Sequence, residues 1–400
     1  MSGTDADMTE HGFRRERIVV TDAETRAALA AVRSLGRAGH EIHTTCARPA
    51  ALASASRFAR AEHVLPDAER DPVAWARELE ALCERIDADW ILPITELSLC
   101  ALYAADVHTR RSCLCPSPAA YAASTDKHHI LEVAQRVGIQ VPRSVLVEVP
   151  AALSELPNGF EFPVILKARR SRFWAGDHWA SGGVVLVRGR DELLRAVRDP
   201  GFSGGLLVQE FIPGHGEAIF VLARGGDCLA AFAHRRLREK PPSGGVSALR
   251  ESVAPDPDLL AASVALVSEI GLDGVAMVEF RCAPGEQPAL MEINPRLWGS
   301  LQLAIDSGAD FPDLLWRMHT NRPVPKPTVE IGVRTRWLLG DVDHLLIALR
   351  RADMREATGR SRFQVCLDFL RSFRDGSRLE VLRRDDWRPF ARELRGWVGL

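Results

Sequence analysis

Between residues 17 and 117 the chain alternates short apolar runs with amphipathic stretches, and this alternation limits its fold more than any other feature. Residues 17–20 (RIVV) read as a buried strand, 24–37 as a helix ending before Gly39, and 40–46 (HEIHTTC) as a strand. Residues 73–86 then read as a helix, 89–94 (DWILPI) as a strand and 113–118 (CLCPSP) as a short strand. Strands separated by helices form parallel α/β sheets. The shape is Rossmann-like, but the first strand is not followed by G-x-G-x-x-G. Asp22 and Glu24 already complement the dipole of the next helix and would repel a pyrophosphate. His40, Glu41 and His43 are spaced H-E-x-H on a strand rather than H-E-x-x-H on a helix, so they are not a metalloprotease motif. No P-loop motif occurs.

From residue 118 the pattern changes to α+β. Residues 126–139 (DKHHILEVAQRVGI) read as a helix, followed by strand-like runs at VPRSVLVEV, FPVILKAR and GVVLVRG, and a helix at DELLRAVRD. Three further strand-like runs follow, LLVQEFI, GEAIFVLARGG and CLAAFAHRRLRE. After a helix at SVALVSEIGL, the runs DGVAMVEFRC and PALMEINPR are joined by the hairpin turn APGEQ, and 301–318 reads as helix. A Pro-rich link, NRPVPKPT, leads to an Arg-rich end. The expected organisation is a disordered 1–16, an α/β Rossmann-like domain over 17–117, an α+β two-lobed domain over 118–320 with a hinge near 205–215, and a mostly helical 321–400.

Composition removes several function classes. Of the residues 46% are hydrophobic and 26% charged, as in a soluble globular enzyme. A formal net charge of −2 gives no basic excess for nucleic acid. No apolar run reaches membrane-spanning length and no secretory h-region precedes residue 20, so a cytoplasmic location is expected. The eight cysteines include no C-x-x-C pair and read as buried free thiols.

Three features carry chemistry. Glu292 and Asn294 are two apart on a strand and share a face, and Glu279 lies on the preceding strand of the same hairpin. Such an all-oxygen set suits Mg²⁺ holding nucleotide phosphates. Lys127 and Lys167 stand out because only four of the 51 Lys and Arg residues are lysine. Lysine is a slim point charge that reaches a phosphate oxygen end-on. Lys167 ends an apolar strand before a loop holding Gly176, Gly182 and Gly183, which suits a polyphosphate. Finally, LLVQEFIPGHGEA ends a strand at Gln209–Glu210 and turns at Pro213–Gly214, offering backbone groups and an acid to an adenine edge, with Glu217 placed for ribose hydroxyls. A hinge between sub-domains explains that last segment equally well.

The ordered series DK…ILK…Gly loop…QEFIPG…VEF…EINPR resembles the ATP-grasp superfamily, of the carbamoyl-phosphate-synthetase-like carboxylate–amine ligase type, over roughly residues 10–320. The resemblance implies a Rossmann-like pre-ATP-grasp domain followed by two α+β lobes that clasp ATP. It places Lys127 and Lys167 on ATP phosphates, Gln209, Glu210, Phe211 and the backbone of Ile212 at the adenine, and Glu217 at the ribose. Glu279, Glu292 and Asn294 would hold Mg²⁺ or Mn²⁺, and Arg296, catalytic together with Lys167, would face the transferred phosphoryl group or the substrate carboxylate. The implied partners are a small-molecule carboxylate and an amine, without nucleic acid or a membrane span, and a homodimer is left open. The chain departs from the pattern at 171–183, where Phe173, Trp174 and Trp179 either close over a substrate or pack the lid. The segment HRRLREK supplies a substrate wall in which Arg236 and Arg238 share a strand face, followed by Lys240. A solvated edge strand explains the same pattern equally well.

Overall fold

Residues 14–242, 245–283, 285–350 and 361–399 are described by the computed structural model; the segment expected to be disordered lies, up to residue 13, outside them. The first sheet contains β1 (Arg17–Val20), β2 (Glu41–Cys46), β3 (Ala59–Val64) and β4 (Trp90–Leu92), all parallel, in the order β3-β2-β1-β4. β3 is not legible in the sequence, because its run ARAEHV is half polar and forms the sheet edge. Residues 113–118 do not make the expected strand; they give a single bridge, Ile91 to Cys113, because Pro116 and Pro118 lack ladder donors.

Side-chain caps start the helices where the sequence turns polar. Thr25, Asp71, Thr95, Ser117, Asp126 and Asp256 each accept a bond from a first-turn backbone N–H, each contributing about 1 kcal/mol. Asp22 is tied up locally: its carboxylate accepts from Thr95 N at 3.0 Å and Ser98 Oγ at 2.6 Å. The expected helix over 301–318 breaks into Leu301–Asp306 and Phe311–His319, because Gly308 takes φ +97° and a Cβ there would meet the Thr328 carbonyl.

The second sheet, β5 (Ser144–Val147), β6 (Val164–Ala168), β9 (Val184–Val187) and β10 (Leu206–Glu210), is antiparallel in the order β5-β10-β6-β9. Between its strands, β7 (Arg172–Trp174) and β8 (Trp179–Ser181) form a separate hairpin. The third sheet has seven strands, in the order β15-β14-β11-β12-β13-β16-β17. They are β11 (His215–Arg224), β12 (Asp227–Lys240), β13 (Val246–Val253), β14 (Gly274–Cys282), β15 (Ala289–Asn294), β16 (Arg334–Arg336) and β17 (Arg378–Leu379). One face of it packs Ile219, Val221 and Val278 against Leu131 and Leu266 of helices Lys127–Arg136 and Pro257–Glu269. The other packs Phe220 and Phe232 with Trp298 and Phe311 in a core shared with β1 and helix Arg26–Arg37.

The part beyond residue 320 is less purely helical than its sequence suggests. Helices Leu338–Arg350, Arg362–Arg371 and Arg388–Val398 are present, but β16 and β17 extend the central sheet. Buried ion pairs fix this end to the first unit, with Arg33 on Asp386 at 2.8 Å and Arg26 and Arg250 both on Glu380. The cysteines are all free, but only Cys46, Cys83 and Cys100 are buried; Cys113, Cys115, Cys282 and Cys366 are partly buried and Cys228 is exposed. Among the described residues no helix is long and apolar enough to cross a membrane.

Candidate functional site

Strand register brings the acidic residues together. Glu279 on β14 lies opposite Glu292 on β15, and Asn294 follows Glu292 by two on the same strand. The Asn294 amide donates to Glu279 Oε1 at 3.3 Å and to Glu292 Oε1 at 3.2 Å. Burial pushes the Glu279 carboxyl up, and the Glu292 charge pushes it further, against Arg236, Arg296 and Lys167. For Glu292 burial also acts upward, but Lys127, Lys167 and the hydrogen bond from Asn294 outweigh it and hold this carboxyl below its usual range. Two facing carboxylates with an amide between them form a hard oxygen donor set in which like charges repel. A divalent cation of the Mg²⁺ or Mn²⁺ class fits that demand.

Cations reach this trio from three directions. Lys127, at the start of its helix, puts Nζ 3.4 Å from Glu292 Oε2 and donates to Ser171 Oγ at 2.6 Å. Lys167, on β6, crosses from the second sheet to Met291 Sδ on β15 at 4.0 Å. Burial lowers the Lys167 ammonium, with Glu292 opposing the shift and Lys127 adding to it. Arg236 approaches Glu279 Oε2 at 3.4 Å, and Arg296 Nη2 approaches Asn294 Oδ1 at 3.4 Å. Arg296 lies past the end of β15, after Pro295, so a turn rather than a continued strand keeps it beside Asn294.

The hinge group lies at the end of β10. Gln209 is buried and donates to Ser144 Oγ at 3.0 Å, while Glu210 Oε1 accepts from Arg143 N at 2.7 Å. Phe211 is exposed, and the Ile212 carbonyl accepts from Arg281 Nε at 3.2 Å. Gly214 holds φ +103° with its missing Cβ 2.0 Å from the Cys282 carbonyl, so no side chain fits there. Glu217 stands apart from the acidic trio, beside His215 at the start of β11. One cavity of about 1090 Å³ is nevertheless lined by Glu217, Ala218, Arg236, Glu239 and Arg281.

Two members of the expected substrate wall are elsewhere. The register of β12 on β13 shifts between Arg236 and Arg238, which breaks the alternation assumed for HRRLREK. Arg238 turns into the C-terminal part, where it is buried on Asp341 at 2.7 Å and donates to Ser372 Oγ at 2.8 Å. Lys240 pairs with Asp343 and lies over the Trp337 ring. Only Arg236 of the three faces the trio. The aromatic segment is a hairpin docked on the first unit: Trp179 N donates to the Glu69 carbonyl at 2.8 Å and Arg172 to the Glu69 carboxylate at 3.1 Å. Phe173 is buried and Trp179 packs against the cluster of Leu99, Cys100 and Tyr121, whereas Trp174 is exposed.

Glu96 was missed by the sequence reading. It opens helix Glu96–Ala104 just beyond β4, and its carboxyl is pushed up by burial while Arg296 and Lys127 pull it down. The usable signal was an acid at the carboxyl end of a parallel strand, where open α/β sheets place ligands. Ser171, which holds Lys127, carried no signal.

A family model described as ATP-grasp in the biosynthetic pathway with Ter operon matches residues 203–340. N5-carboxyaminoimidazole ribonucleotide synthase from Synechococcus elongatus is 28% identical over 202 residues, which is 48% of this chain and 47% of that protein. The chain thus spans about half the length of this curated relative. The biotin carboxylase of Campylobacter jejuni superposes with TM-score 0.63 at 17% identity, covering 80% of this chain and 74% of the other. The ADP complex of N5-carboxyaminoimidazole synthetase from Staphylococcus aureus gives 0.63 at 14%, covering 83% and 84%. The L-amino acid ligase of Bacillus licheniformis gives 0.57 at 18%, covering 79% and 76%. At these identities the solved structures speak for the fold, which this chain shares over about four fifths of its length, and residues 203–340 match an ATP-grasp family model.

Proposed function

We propose that the protein is an ATP-dependent ligase that activates a small carboxylate as an acyl phosphate and joins it to an amine, releasing ADP and phosphate. The observation that carries this reading is the Glu279–Asn294–Glu292 trio ringed by Lys127, Lys167, Arg236 and Arg296. The named relatives are ligases or carboxylases, and the matched family is described as biosynthetic. In this reading residues 17–117 form the pre-ATP-grasp domain, 118–320 the two ATP-clasping lobes with the hinge near 205–215, and 321–400 a C-terminal region.

A carboxylate oxygen is a poor leaving group. Its attack on the γ-phosphorus breaks the bond to ADP and converts that oxygen into part of a phosphate, which leaves when the amine attacks the acyl carbon and sheds a proton. The protein positions these groups and neutralises charge. Glu279, Glu292 and Asn294 would hold Mg²⁺, which would supply positive charge to offset that of the phosphates. Lys127 and Lys167 hold phosphates, and Arg296 spans oxygens of the transferred group with its planar fork. Glu210, Phe211 and Ile212 meet the adenine, Gln209 supports them through Ser144, and Glu217 takes the ribose. The docked hairpin shields the acyl phosphate from water.

The test is ADP release with Mg²⁺ and ATP across pooled amino acids and small carboxylates, with hydroxylamine as a trap. A hydroxamate formed from one carboxylate is the expected result. ADP release that depends on an acceptor but never yields hydroxamate would make the protein a phosphotransferase, and no ATP binding at all would reduce it to a non-catalytic relic.

A further inference from the structure

One cluster of donor atoms on the central sheet is not used by the oxygen site. His215 and Glu217 are two apart on β11, and Cys282 on β14 lies directly opposite His215 in the antiparallel register. All three side chains therefore leave the same face. His215 Nε2 and Glu217 Oε1 are 2.9 Å apart, and one donor atom from each of the three residues lies within 4.8 Å of the others. Cys282 is a free, half-buried thiol and His215 is exposed, so the cluster is reachable from solvent.

The donor chemistry differs from that of the trio. A thiol, an imidazole and one carboxylate are ligands for a borderline-soft ion and discriminate against Mg²⁺. Tetrahedral Zn²⁺ with bonds of 2.0–2.3 Å holds its ligand atoms roughly 3.3–3.8 Å apart, within the span of 2.9 Å up to 4.8 Å seen here. The backbone beneath is rigid: Gly214 presses on the Cys282 carbonyl, and Arg281 donates to the Ile212 carbonyl at 3.2 Å. The ligands thus stand on paired strands, with a fourth position left to water.

We propose that His215, Glu217 and Cys282 form a Zn²⁺-class metal site at the mouth of the cleft, and that its occupancy excludes nucleotide by taking Glu217 away from the ribose. The exclusion rests on the ATP-binding reading above; the metal site does not. A zinc-bound Glu217 has no free carboxylate for ribose hydroxyls, and the ion's water shell fills the space at the hinge.

Titration of the full chain with Zn²⁺ alone, in competition with a chromophoric chelator, tests the site. His215→Ala and Cys282→Ser should each weaken the tightest Zn²⁺ binding at least tenfold, whereas Glu292→Gln, which alters the oxygen trio, should leave it unchanged. Equal Zn²⁺ affinity in the wild type and in both His215→Ala and Cys282→Ser would overturn the proposal. A fluorescent ATP analogue then tests exclusion: zinc should weaken its binding to the wild type at least fivefold and leave Cys282→Ser unaffected. Unchanged nucleotide affinity in zinc-loaded wild type would overturn the exclusion. An analogue that fails to bind even without zinc would instead refute the ATP reading, while the chelator titration still decides the metal site.

Discussion

Arg236 and Arg238 should respond in opposite ways to truncation, although they stand two apart in one strand. Arg238 is 9% exposed and Asp341 is fully buried, at 0%. The guanidinium makes two contacts to that carboxylate, at 2.7 and 2.8 Å, and donates to the Asp368 carbonyl at 3.1 Å. Removing one partner of a buried pair costs about 3–5 kcal/mol, because the other charge is left uncompensated. Arg336 still donates to Asp341 at 2.6 Å, so the lower end, about 3 kcal/mol, applies to Arg238→Ala. In a chain of this size that corresponds to a fall in Tm of roughly 4 °C. The Arg236 side chain is 31% exposed and its ion pair with Glu279 is 3.4 Å long, a contact worth about 0–1 kcal/mol to stability. Arg236→Ala should therefore melt within about 2 °C of the wild type, yet lose roughly tenfold or more in kcat/KM for ADP release. Thermal melts and ADP release on the same preparations measure both quantities. If Arg238→Ala melts like the wild type, or Arg236→Ala loses stability while keeping its turnover, the division drawn at the strand irregularity is wrong.

Glu292→Gln and Asn294→Ala should each abolish Mg²⁺-dependent ATP turnover while the circular dichroism spectrum and Tm stay near wild type; full activity at low Mg²⁺ in both would remove the metal role. Lys167→Met should weaken ATP binding at least tenfold in calorimetry, whereas Lys326→Met, altering an exposed residue in the Pro-rich link, should not. Asp310 is pushed up from 3.8 to about 6, first by burial, with the Ser34 hydroxyl at 2.5 Å opposing the shift. The folded state then holds that proton more tightly than the unfolded state, so the linked stability is present below about pH 3.8 and lost as pH rises through about 6. Asp310→Asn should accordingly raise stability at pH 7.5 by about 3 kcal/mol and change little at pH 3.5, as read by urea unfolding; an equal gain at both pH values would contradict the assignment.

Much of this architecture was legible because local signals and tertiary demands coincide. The helix N-termini at Thr25, Asp71 and Asp126 are written in capping residues that precede apolar stretches. The acidic hairpin was legible because strand alternation alone puts Glu292 and Asn294 on one face, and a short turn returns the chain to Glu279. The scarcity of lysine singled out Lys127 and Lys167, and both reach the trio.

What stayed hidden depends on contacts between distant segments. The shift at Arg236–Arg238 arises because Arg238 is claimed by Asp341 and Ser372, more than a hundred residues away, and no periodicity within HRRLREK records that. β16 and β17 are three and two residues long, too short to show a period, and exist only as additions to the edge of β13. Glu96 joins the site through the packing of the first unit against the cleft, which brings it under the field of Arg296 and Lys127. A motif series read along the sequence therefore finds side chains on adjacent strands of one hairpin, on the strand facing it and at the start of one helix. Groups that face the cleft from another unit must be found from the fold. Glu96 is such a group: burial and Glu292 push its carboxyl up while Arg296, Lys127 and Arg172 pull it down, and no motif in its own helix records those partners.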